Sequence, residues 1–162
     1  MVNAMRSPLM ERNRCNCAAL RKASRRLSQL YDSILAPAGL RSTQYAILAE
    51  IDRRQEDLPT MRELADTLVL DQSTVGQNLR PLEREGLISL ALDQADRRRR
   101  LVKLTKKGRS RLAAAFPLWE TAQRHFETSF GTQEAADLRA LLLNVVSERV
   151  LDADNKSSLS GS

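Results

Sequence analysis

After Gly86 the spacing of apolar residues changes from the 3.6-residue period of a helix to the two-residue period of a strand. Upstream, Met61 to Leu68 forms a short helical run opened by Pro59 and Thr60. Only Val69 and Leu70 then separate it from Asp71, a strong N-cap, and a second helical run that lasts until Gly86. Downstream, Leu87-Ile88-Ser89-Leu90-Ala91-Leu92 and Arg99-Arg100-Leu101-Val102-Lys103-Leu104 are β-compatible and are joined by the polar segment Asp93 to Arg98, which predicts a hairpin. Helix, tight turn, helix and hairpin in that order leave few architectures open.

The remaining chain is helical by pattern. Leu20, Leu27, Leu30, Ile34 and Leu35 recur at helical spacing between Cys15 and Ala36, and Pro37 and Gly39 close that run. Thr43 to Arg54 places Tyr45, Leu48 and Ile51 on one face, with Ser42 and Thr43 as the expected caps. From Thr105 a long helical region reaches Phe130, with an interruption and bend expected at Pro117. Gly131 ends it, and a last helix is expected from Thr132 to Leu151, carrying Leu138, Leu141, Leu142, Val145 and Val146. No internal repeat is present. The pattern predicts a mostly α fold with a small β-hairpin, a winged helix-turn-helix whose terminal helices form a dimerisation region. The expected divisions are a flexible arm (1–14), a first dimerisation helix and turn (15–42), the winged lobe (43–104), C-terminal dimerisation helices (105–151) and a disordered tail (152–162).

Several function classes are disfavoured. No stretch approaches the roughly 20 apolar residues that cross a bilayer, and the first 14 residues lack the apolar core of a signal peptide, so a cytoplasmic protein with no membrane partner is expected. Two cysteines and one histidine cannot build a four-ligand zinc site or a disulfide framework. Neither a metal nor another cofactor is expected. The net charge of +6 is concentrated: eleven Lys and Arg stand against five Asp and Glu between Asp71 and Arg111, and the rest of the chain balances at fifteen each. By itself such a cluster is an ordinary solvated face. Coinciding with the helix-turn-helix, it meets the requirement for neutralising phosphates on double-stranded DNA.

On the helix after Asp71, ~100° per residue puts Val75, Leu79 and Leu82 on the core side. Ser73, Gln77, Arg80 and Arg84 fall opposite with Thr74 beside them, and Asn78 joins the candidate DNA-contacting set. Gln pairs bidentately with adenine, Arg with guanine, and hydroxyls bond phosphates or bases. Gly76 permits close approach. Pro81 cannot donate to the carbonyl of Gln77, so a kink before Arg84 is expected and the groove-facing portion is placed at Ser73 to Arg80. At the hairpin tip, Arg97, Arg98, Arg99 and Arg100 are candidates for the adjacent minor groove, Arg98 foremost, with Asp96 orienting it through a charge-assisted hydrogen bond.

The block Asp71-Gln-Ser-Thr-Val-Gly-Gln-Asn-Leu, then Leu82-Glu-Arg-Glu-Gly-Leu-Ile, Asp96-Arg-Arg and Val102-Lys-Leu-Thr-Lys-Lys-Gly108, resembles the MarR family of bacterial regulators, over about Cys15 to Leu151. The resemblance implies an obligate homodimer with interlocking terminal helices, a near-palindromic operator, and repression relieved by a ligand or an oxidant. Ser89-Leu90 departs from the basic or polar residues often found there in the family. Dimerisation also has its own argument, because terminal helices rich in Leu and Val have few partners in a monomer whose reading face must stay free.

Two switches remain open. Cys15 and Cys17 stand at the start of the first helix near Arg12, Arg14 and Arg21 and form a candidate redox-sensing site. Cys17 with Ser24-Arg25 and Tyr31 downstream resembles the family's organic-hydroperoxide-sensing branch, whereas Arg21 and Ser42 occupy positions that usually carry tyrosines there. At i and i+2 of a helix the two thiols diverge, so sulfenic acid or an intersubunit bond is easier than an internal disulfide. Idle thiols are the plainer alternative. The competing switch is a small organic effector against Tyr31, Tyr45, Phe116 and Trp119, which are equally suited to a core. A thiol enzyme lacks an identifiable base or resolving partner, and a winged helix used only for protein contacts does not need the basic hairpin.

Overall fold

The computed structural model describes residues 15–54, 57–94, 96–97 and 99–147. The expected arm, the expected tail and the hairpin residue Arg98 lie outside the described residues. The chain divides into two compact units, residues 1–119 and 120–162.

The first unit holds α1 (Asn16–Leu35), a 3-10 turn (Ala36–Ala38), α2 (Ser42–Arg53), α3 (Met61–Leu68), α4 (Gln72–Arg84), β1 (Ile88–Leu92), β2 (Arg100–Leu104) and α5 (Lys106–Phe130) as far as Trp119. Its core gathers Leu35, Leu40, Ile47, Leu48, Ile51 and Leu64 with Val75, Leu79, Leu82, Leu87, Ile88, Val102 and Leu104. The three residues expected on the inner side of α4 are therefore all buried. Each such Leu, Ile or Val removes apolar surface worth roughly 1.5–3 kcal/mol.

Local chemistry sets the helix boundaries. Thr60 caps α3 with a reciprocal box: its N–H donates to Glu63 Oε2 (2.7 Å), while the Glu63 N–H donates to Thr60 Oγ1 (3.2 Å). At the other end Val69 takes a left-handed conformation (φ 51°), a strained position for a β-branched residue, and the Leu70 N–H reaches back to the Ala65 carbonyl (2.9 Å). That bend makes the turn of the helix-turn-helix. The start of α2 differs from the expected capping by Ser42 and Thr43. Arg41 is the cap residue, its N–H donating to Gln44 Oε1 (3.0 Å), and Ser42 is already helical, with N–H and hydroxyl both donating to Asp32 Oδ1 of α1 (2.7 and 2.6 Å). A partner ten residues earlier replaces the local cap.

The hairpin is antiparallel, with Ile88 opposite Leu104, Leu90 opposite Val102 and Leu92 opposite Arg100. A bridge between Thr60 and Leu101, together with the Val102 N–H donating to the Pro59 carbonyl (2.8 Å), ties β2 to the entry of α3. Both internal prolines are accommodated without a break: α4 runs through Pro81 to Arg84, and α5 runs through Pro117 to Phe130. The expected interruption at Pro117 is thus not observed, since the proline removes one backbone donor on an exposed side of a long helix. Gly86, at φ 71°, turns the chain from α4 into the hairpin.

The second unit contains the end of α5 and α6 (Thr132–Val146), separated by Gly131 at φ 103°. Arg139 pairs with Glu127 (3.0 Å), and the rings of Phe126 and Phe130 stack at 5.2 Å. α6 ends at Val146, where Ser147 is extended (ψ 128°), and the remainder of the helix expected as far as Leu151 lies outside the described residues. No helix among the described residues is long and apolar enough to cross a membrane.

Candidate nucleic-acid interface

The outward side of α4 is assembled from its cap. Asp71 accepts the Thr74 N–H (2.8 Å) and the hydroxyls of Thr74 (2.6 Å) and Ser73. Those bonds, the Ser73 hydroxyl first, hold its carboxyl well below the usual carboxylate range. The stabilisation is full above that range and is lost as the pH falls towards the depressed folded value. The hydroxyl protons of Ser73 and Thr74 are both engaged by Asp71. Asn78 likewise turns back on its helix, its amide donating to the Thr74 carbonyl (2.8 Å). Gln77, Arg80 and Arg84 are exposed, Arg84 in the last turn.

Ser73, Gly76, Gln77 and Arg80 share a groove of about 440 Å³ with Met61, Leu90, Val102 and Arg100. Met61 and Leu90 supply an apolar floor that the α4 pattern alone does not reveal. Ser89 and Leu90, the departure from the family pattern, are both exposed on β1. A Cβ at Gly76 would touch only Met61 Sδ at 3.7 Å, so nothing within the fold demands a glycine there. In a helix interior it costs roughly 0.5–1 kcal/mol relative to alanine. The vacant volume faces the groove.

The basic segment resolves into residues with internal partners and residues facing solvent. Lys107 Nζ donates to the Glu85 carbonyl (2.7 Å), Arg109 to that of Leu104 (3.2 Å), and Arg111 to that of Ala38 (3.0 Å) while lying 3.6 Å from the Glu85 carboxylate. Arg99 is held by Glu63 (3.0 Å) and Asp93 (3.5 Å). Arg80, Arg84, Arg97, Arg100, Lys103 and Lys106 are exposed. Asp96 accepts the Arg99 N–H through its backbone carbonyl (2.9 Å), which closes the turn carrying Arg97.

Elsewhere in the first unit, Cys15 is itself the N-cap of α1, with extended backbone and its Sγ accepting the Ala18 N–H at 3.5 Å. It therefore precedes the helix, and Cys17 occupies the first turn; both thiols are exposed. Trp119 stacks with both Tyr45 (6.0 Å) and Phe116 (5.8 Å), and about half of Phe116 is left open. Tyr31, also half-buried, packs against the core.

A model described as MarR family matches residues 38–99. The transcriptional regulator HosA of Escherichia coli is 32% identical over 120 residues, covering 70% of this chain and 86% of HosA. The HTH-type transcriptional repressor NicR of Pseudomonas putida is 28% identical over 138 residues, covering 85% and 83%. Among solved structures, the M. tuberculosis transcriptional regulator MosR in complex with DNA superposes with a TM-score of 0.74 at 34% identity, covering 86% of this chain and 98% of that one.

Proposed function

Because this chain belongs to the MarR family of transcriptional regulators, we propose that it is a repressor that reads a near-palindromic operator as a homodimer in the cytoplasm, without catalytic turnover. The observation that carries this reading is the exposed row Gln77 and Arg80 on α4, continued by Arg100 on β2 across one groove and by Arg97 at the hairpin turn. It presents amide and guanidinium groups suited to base edges beside cations suited to phosphate. MosR and CouR, at 34% and 26% identity, are solved bound to DNA, and NicR is a repressor by name. Residues 43–104 serve as the DNA-binding lobe, while 15–42 and 105–151 serve dimerisation. Asp96 and Arg98 retain the wing roles expected from sequence.

Two substitutions test the reading on a duplex recovered by in-vitro selection. Gln77→Ala is expected to cost about 1–3 kcal/mol on the selected duplex and far less on scrambled DNA. Arg97→Ala is expected to weaken binding to both equally and to lower the salt slope by about 0.9. Binding of the parent protein that ignored salt would remove DNA as its partner.

Release is assigned to a small planar organic effector, supported by the half-exposed Phe116 in ring contact with Trp119, which also stacks with Tyr45. A second reading is favoured by the exposed thiols at the start of α1. An organic hydroperoxide converts the Cys17 thiol to sulfenic acid and leaves as the alcohol, so one sulfur is oxidised and one O–O bond reduced. Under this reading Cys17→Ser protein stays on the duplex when cumene hydroperoxide is added, whereas the parent dissociates. Release of both alike would exclude the thiol.

A further inference from the structure

Arg99 counts by sequence among the DNA-contacting arginines, but its surroundings describe a different task. Its backbone closes the hairpin turn from both sides, the N–H donating to the Asp96 carbonyl (2.9 Å) and the carbonyl accepting the Asp93 N–H (3.1 Å). Its guanidinium spans two carboxylates, Nη2 lying 3.0 Å from Glu63 Oε1 and Nη1 lying 3.5 Å from Asp93 Oδ2. Glu63 is itself fixed, since its other oxygen accepts the N–H (2.7 Å) and hydroxyl (2.8 Å) of Thr60 at the start of α3. Thr60 in turn bridges to Leu101 on β2. The side chains of Arg99 and Glu63 are 47% and 40% exposed, so an isolated pair of this kind would be worth little. Here one guanidinium joins three places: the cap of α3, Asp93 just after β1, and the turn bearing Arg97.

We infer that the Glu63–Arg99–Asp93 clasp positions the arginine-bearing turn against the helix-turn-helix, and that Arg99 is a positioning residue which does not touch DNA. This rests on the DNA-binding reading for its consequence, although the clasp itself can be tested without DNA. The two assignments for Arg99 predict opposite effects at Glu63. If Arg99 contacted phosphate, removing the Glu63 charge would free it and strengthen binding to a polyanion. If Arg99 is a strut, Glu63→Gln loosens the turn and weakens binding despite the loss of a repelling charge. Glutamine preserves the capping acceptor for the Thr60 N–H, so α3 still starts in place.

The full chain is compared with Glu63→Gln, Arg99→Gln, Arg99→Lys and the Glu63→Gln/Arg99→Gln double variant. Without DNA, hydrogen exchange of the Asp93 and Arg99 amides is expected to accelerate about three- to fivefold in each single variant, and no further in the double. Unchanged exchange in the single variants overturns the clasp. On the selected duplex, each single variant is expected to bind about three- to fivefold more weakly at an unchanged salt slope. Arg99→Lys is expected to fail with the others, because an ammonium cannot span both carboxylates. Tighter binding by Glu63→Gln, or a salt slope lowered by about 0.9 in Arg99→Gln with binding retained in Arg99→Lys, returns Arg99 to the phosphate contacts. Absence of salt-sensitive binding by the parent protein would refute the DNA reading, while the exchange measurement would still decide the clasp.

Discussion

Gly108→Ala is expected to lower unfolding free energy by about 1–3 kcal/mol, the range for forcing a group into a packed interior. A Cβ at this position would stand 1.9 Å from the Leu87 carbonyl oxygen, 2.9 Å from its carbon and 3.0 Å from Leu104 Cδ2. Two of those atoms are backbone, so no rotamer change relieves the clash. The close approach is held by Thr105, whose N–H donates to the Leu87 carbonyl (3.1 Å), whose hydroxyl donates to the Gly86 carbonyl (2.7 Å), and whose Oγ1 accepts the Gly108 N–H (3.0 Å). To admit a methyl group, α5 must move away from the start of β1 and break this set. Leu87 links α4 to the hairpin, so the displacement also disturbs the spacing of the two parts of the reading face. Urea unfolding followed by far-UV circular dichroism measures the loss. A midpoint equal to that of the parent would mean that the α5–Leu87 approach is looser than 1.9 Å implies.

The Thr105-Lys-Lys-Gly108 run was visible in the sequence as part of a family resemblance, yet its physical reason was not. The clash involves a backbone atom 21 residues away, and no local pattern encodes that. The same distinction separates what was legible elsewhere. The start of α3 could be read because Thr60 and Glu63 satisfy each other three residues apart, and α4 because Asp71 and the Val75, Leu79, Leu82 spacing act within one helix. Ser42 misled because its partner is Asp32 on another helix, and the ion pair of Arg99 was not legible because Glu63 lies 36 residues upstream. Pro117 misled differently: a proline's cost is local, but a 25-residue helix with tertiary contacts can absorb one missing bond. In the basic segment, charge counting alone did not separate cations that face solvent from cations with partners inside the lobe. Arg99, Lys107, Arg109 and Arg111 hold the lobe together instead of projecting freely from it.

The largest functional loss is expected from two substitutions far from the reading face in sequence, Leu141→Asp with Leu143→Asp. On α6, Leu141 and Leu143 are each 63% exposed, and Val145 and Val146 are exposed with them, while Ala135 is buried. Apolar residues thus occupy more of the helix circumference than the stripe that one packed side requires, the mark of a helix covered on further sides. Large apolar residues left bare on a helix end are costly to keep in water, and a symmetric partner removes that cost for both copies at once. For a two-fold operator the gain extends to binding. A dimer presents two copies of α4 about one DNA turn, roughly 34 Å, apart, and the second contact forms at the effective concentration set by the first. The double variant is expected to sediment as a monomer with unchanged helical content, and its affinity for the selected duplex should fall by about 10²- to 10⁴-fold. Affinity for a single half-site should barely change, because the reading lobe is untouched. A variant that remained dimeric would move the interface away from this part of α6. A monomer that held the full duplex as tightly as the parent would show that each lobe binds alone, and the two-fold operator would then lose its physical basis.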